Sequence, residues 1–98
     1  MYVGTLSFDL LLGDVHSLKE KRSVVRPIVA ELQRKFAVSV AEVDHQHLHR
    51  RAVIGLAAVS GDATHLVDVL DRCERLVAGR PEVELLSVGR RFHGEYDD

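Results

Sequence analysis

Three histidines, His45, His47 and His49, occupy alternate positions in the stretch DHQHLHRR that runs from Asp44 to Arg51. In an extended strand, alternate side chains share one face about 7 Å apart, so imidazoles at this spacing can converge on a metal such as zinc. A closed zinc site also needs a fourth ligand and partners that orient the rings, and Asp44 falls on the opposite parity from the histidines. A polar loop with hydrated imidazoles is the simpler reading of the same residues, and no cofactor is expected.

A second chemical pattern is basic. Between Lys19 and Lys35 there are six Lys/Arg against two Asp/Glu. Lys19, Lys21, Arg22 and Arg26 lie near the start of a helical pattern, where free backbone N–H groups and the helix dipole reinforce cationic side chains in holding phosphate. Arg50 and Arg51 add charge from the histidine stretch. RNA or another anion is the partner this set would take. The competing reading is a solvated helix face whose aliphatic stems pack on the core.

Catalysis has no constellation visible in the chain. Cys73 falls within an apolar helical stripe and reads as a small core residue. His16 precedes a helix and His65 lies in one, neither with a nucleophile at a readable spacing. The turn LLGDVHS holds one glycine and no phosphate-loop pattern.

The elements that carry these residues follow from periodicity. In TLSFDLLLGD, Leu6, Phe8, Leu10 and Leu12 alternate with Thr5, Ser7 and Asp9, the pattern of a strand with one buried face. Ser17 and Glu20 have capping-box spacing and open a helix whose stripe is Val25, Ile28, Val29, Leu32 and Phe36. Pro27 cannot donate to the Ser23 carbonyl, which predicts a kink, or a short opening turn with the regular helix beginning nearer Ser23.

VSVAEVD, from Val38, reads as a second strand and RAVIGLAAVS as a third, joined as an antiparallel hairpin through a loop longer than two residues. Asp62 caps a second helix with the stripe Leu66, Val69, Leu70, Cys73, Leu76 and Val77, ended by Gly79 and Pro81. EVELLSVGRRF is the last strand, so residues 1–93 form one domain and residues 94–98 a mobile tail.

The order βαββαβ predicts an α+β, ferredoxin-like sandwich: a four-stranded antiparallel sheet with both helices on one face. The third strand is apolar on both parities, with Val53, Ala57 and Val59 opposite Ile54, Leu56 and Ala58. Its outer face would therefore show apolar surface, and a second copy of the chain is the expected cover, giving a homodimer through the open sheet face.

Charge and composition narrow the partners. Residues 1–51 carry a net +2 and residues 52–98 a net −4, and a pI near 6.3 argues against wholesale coating of nucleic acid, so DNA is not an expected partner. No apolar run approaches the roughly 20 residues of a membrane span, no export signal is visible, and one cysteine cannot form an internal disulfide, which places the chain in the cytoplasm.

Four blocks, SLKEKR from Ser17, VSVAEVDHQ from Val38, RAVIGLAAVS from Arg51 and PEVELLSV from Pro81, together resemble the YlxP-like family of bacterial domains of unknown function. The resemblance covers nearly the whole chain and implies a ferredoxin-like fold with no established activity. Members are commonly encoded beside translation genes, including those of initiation factor two and ribosome-binding factor A, which implies a connection to the ribosome or RNA. After Asp44-His45-Gln46 the family pattern usually continues with Asp, Leu and an aromatic, where this chain has His47, Leu48 and His49. His47 and His49 are therefore individual to this chain, and a metal triad shared by the family is not implied.

Overall fold

In the computed structural model, which describes residues 1–94, the chain runs β1 (Tyr2–Leu12), α1 (Leu18–Lys35), β2 (Ser39–Asp44), β3 (Arg51–Ser60), α2 (Ala63–Ala78) and β4 (Val83–His93). The strands form one antiparallel sheet in the order β2-β3-β1-β4, as the element pattern predicts. The mobile tail expected from residue 94 onward falls, over residues 95–98, outside the described residues.

Alternation decides which face of the sheet is buried. Leu6, Phe8, Leu10 and Leu12 of β1 and Ala52, Ile54, Leu56 and Ala58 of β3 point under the helices, at 0–7% exposure. They meet Val25, Ile28 and Leu32 of α1 and Leu66, Leu70, Cys73 and Val77 of α2 in one core. Each large apolar side chain so buried contributes about 1.5–3 kcal/mol.

Both helices begin at a polar cap. Ser17 Oγ accepts the Glu20 N–H at 3.1 Å and faces the Glu20 carboxylate at 3.5 Å, while Asp62 accepts the His65 N–H at 3.1 Å. The first cap holds the helix start at Leu18, so α1 does not begin near Ser23 as the proline suggested. Pro27 sits inside the helix on its exposed side, where the carbonyl it leaves free can be solvated.

Helix and sheet approach closely at Gly4, where an added Cβ would lie 2.6 Å from Leu70 Cδ1. The absent side chain lets α2 lie directly on β1. On the open face, β2 gains an extra residue at Val43, whose methyls rest over Gly55. That face carries Val53 half-buried and Val43 and Val59 exposed at 58% and 62%. No helix of the described residues is long and apolar enough to cross a membrane.

Candidate functional site

The histidine stretch folds as a tight loop and does not prolong β2. His45 adopts a left-handed φ of 58°, its N–H donates to Asp44 Oδ1 at 2.8 Å, and Leu48 N–H donates back to the His45 carbonyl at 3.0 Å. The reversal at His45 ends the extended run on which a shared imidazole face depends. Among the described residues no three His, Cys, Asp or Glu side chains are grouped to hold a metal ion, so His45, His47 and His49 are not brought together.

What the loop does surround is Lys21. This side chain is only 2% exposed, and its ammonium donates to the carbonyls of His45 and Leu48 at 2.5 and 2.8 Å and lies 2.7 Å from Glu42 Oε2. The approach to Glu42 is off the ideal hydrogen-bond direction and is best described as an ion pair. Two hydrogen bonds and one ion pair thus compensate the buried ammonium, because desolvating an unpaired charge would cost several kcal/mol. Lys21 is accordingly withdrawn from any surface contact.

Arg50 and Arg51 are also engaged. Arg50 Nε donates to the carbonyls of Leu12 and Gly13 at 3.2 and 3.0 Å, tying the end of β1 to the start of β3. Arg51 Nη2 contacts both carboxylate oxygens of Asp9, at 2.7 and 2.8 Å, across the open face of the sheet.

Lys19, Arg22 and Arg26 are left. All three are exposed, and none has an ion-pair or side-chain hydrogen-bond partner among the described residues. Their spacing of three and four residues places them on one side of α1 over about 10 Å of its axis. Elsewhere the cations are mostly matched: Arg34, Lys35 and Arg80 approach Glu31, Arg72 pairs with Asp68, and Arg90 reaches Asp71 and Glu74. Arg75 and Arg91 are unmatched but stand on other elements.

The remaining reactive side chains have inert settings. Burial pushes the Cys73 thiol up to about 11, so it stays protonated at neutral pH. His16 Nε2 meets Asp14 Oδ1 at 2.6 Å, with both side chains exposed on the loop after β1, and the neighbouring Ser17 hydroxyl serves the helix cap. His65 is exposed in the first turn of α2.

The role of Lys21 had a readable signal. Lys21 precedes Val25, Ile28 and Leu32 by four, seven and eleven residues and so lies in phase with the apolar stripe of α1. Glu42 shares the parity of Val40, the inward side of β2. Two opposite charges on buried phases of adjacent elements mark an internal pair, and the pile-up of basic residues in the sequence conceals it.

A family described as "Protein of unknown function (DUF503)" matches residues 3–90. The relative "Uncharacterized protein YlxP" of Bacillus subtilis (strain 168) is 34% identical over 82 residues, covering 84% of this chain and 89% of its own. Among solved structures, a de novo designed protein superposes with a TM-score of 0.55 at 13% identity, over 97% of this chain and 99% of that one. A putative chlorite dismutase superposes with a TM-score of 0.53 at 12% identity, over 97% of this chain and 45% of that one. At such identities the two likenesses speak for the fold alone.

Proposed function

The chain belongs to the DUF503 family of proteins of unknown function, and from that premise we propose that it is a cytoplasmic, non-enzymatic protein that associates with RNA, the ribosome included, through the outer face of α1. The observation that carries this reading is the unmatched set Lys19, Arg22 and Arg26, in a molecule whose other cations mostly have partners. Leaving three cations without carboxylates on one helix face keeps them available to phosphate oxygens. The contact is to the RNA backbone. Base stacking on the sheet in the manner of RNA-recognition motifs needs aromatics on the open face of the central strands. β3 has none, and Phe8 of β1 is buried under the helices with Tyr2 on the same parity.

Filter binding to ribosomal RNA across a salt series tests the proposal. Three phosphate contacts predict a log–log slope of about −2 to −3, and reversing Lys19, Arg22 and Arg26 to glutamate should abolish that slope. A flat response of the native protein to salt would overturn the reading.

The exposed Val43 and Val59 favour a second reading, a homodimer packed through the open sheet face. Sedimentation should then show a dimer at micromolar concentration that Val59→Glu dissociates; a native monomer would remove it.

A further inference from the structure

We propose that the free edge of β2 accepts an extended acidic peptide as a fifth strand, seated against the basic flank of α1. The proposal goes beyond RNA association because it depends on the backbone of β2, which phosphate contact with α1 does not use.

The direction of the backbone groups follows from the register. Leu12 N–H donates to the Arg50 carbonyl, so residue 50 bonds toward β1, and in an antiparallel ladder the side bonded alternates along the strand. Gly55 and Ala57 therefore bond toward β2, where they face Ala41 and Ser39. Val40 and Glu42 turn their N–H and C=O groups away from the sheet. The Gln46 side chain agrees with this assignment, since its Nε2 donates to the Glu42 carbonyl at 2.9 Å. It occupies one acceptor that a neighbouring strand would otherwise meet, and the groups of Val40 and the N–H of Glu42 stay open.

Beside that edge, α1 and β2 enclose a groove with Val25, Val29 and Ala30 along the helix, Arg22, Arg26 and Gln33 from α1, and Glu42 from β2, whose carboxylate is already paired with Lys21. A strand laid along β2 would set alternate side chains against this wall, the geometry by which peptides join exposed sheet edges. Arg22 and Arg26 carry no internal partner, so glutamate or aspartate at those alternate positions completes them.

The same charges count against a second copy at this edge, since antiparallel β2-to-β2 pairing would bring two such arginine sets together. The opposite edge, β4, has a different setting: its register slips beside Leu86, Arg90 is matched by Asp71 and Glu74, and the unmatched Arg91 stands across from Thr5 on the open-face parity, away from the helices.

The test uses a fluorescein-labelled ten-residue peptide alternating threonine and glutamate, a lysine-for-glutamate counterpart, and the glutamate peptide N-methylated at every second residue. Fluorescence polarisation should show binding of the first alone, weakened about tenfold by Arg22→Glu with Arg26→Glu. Binding should be tightened about threefold by Gln46→Ala, which frees the Glu42 carbonyl. Hydrogen exchange at the Val40 and Glu42 amides should slow on binding. Equal binding of the lysine or N-methylated peptide, or no change at those two amides, would overturn the proposal. RNA binding by a protein that ignores the glutamate peptide would overturn this inference while leaving the RNA reading in place, and failure of both ligands would end both.

Discussion

The two helices cover one sheet and bury one ionisable group each, yet they treat charge in opposite ways. In α1 the buried group is an ammonium, Lys21, close to three oxygens from β2 and the following loop. The outward cations of its first half, Lys19, Arg22 and Arg26, are unmatched, while Arg34 and Lys35 of its last turn approach Glu31. In α2 the buried group is a thiol, Cys73, held neutral by desolvation alone, and most outward charges are paired, Arg72 with Asp68 and Arg90 with Asp71 and Glu74. Apart from Arg75, the second helix pairs its cations and most of its carboxylates within the molecule. The first completes its interior and leaves Lys19, Arg22 and Arg26 without counterparts among the described residues. Net charge does not distinguish these cases; the location of each charge's counterpart does.

The largest test of this contrast is removal of the ammonium. Lys21→Met leaves the Glu42 carboxylate and two loop carbonyls facing an apolar side chain and should cost about 3–5 kcal/mol in urea denaturation. Adding Glu42→Gln should recover part of that loss, and a cost below about 1 kcal/mol would show that the buried pair contributes little.

The next effect belongs to α2 and appears with pH. Between the ordinary thiol value of 9.0 and the folded value of about 11, the unfolded chain has released the Cys73 proton while the folded chain retains it. Stability therefore falls as pH rises through this window, by about 2–3 kcal/mol in all. Cys73→Ala should lose that part of the slope, seen as a smaller drop in Tm from pH 8 to pH 11 than in the native protein.

The smallest stability effect is expected on the outer face of α1. Reversing Lys19, Arg22 and Arg26 should move unfolding free energy by no more than about 0.5 kcal/mol each, because these side chains have no internal partner to lose. Its expected consequence is for the proposed ligands, RNA and the acidic peptide, and not for the fold. A large loss of stability would mean that these charges serve the fold.

Much of this architecture was legible in the sequence, for identifiable reasons. Alternation in Leu6, Phe8, Leu10 and Leu12 and the caps at Ser17 and Asp62 act locally, so they can be read without knowing what packs where. The site was legible only in part. Lys19, Arg22 and Arg26 stand where a basic helix face places them, but Lys21, Arg50 and Arg51 are committed by contacts 24 to 42 residues away along the chain. Composition cannot show such commitments. His45 reveals a different limit: one left-handed residue changes which way every following side chain points, and histidine identity does not announce it.

The Lys21 contact also assigns an order to folding. Its oxygens come from residues 21 to 27 positions further along, and none can desolvate the ammonium until the hairpin has closed and docked on α1. Contacts that form after the barrier act mainly on the rate of escape from the native state. Lys21→Met should therefore raise the unfolding limb of a chevron, at unchanged slope, while leaving the refolding limb nearly in place. In kinetic terms the lysine is a latch: it has little part in finding the fold and a large part in how long the fold persists.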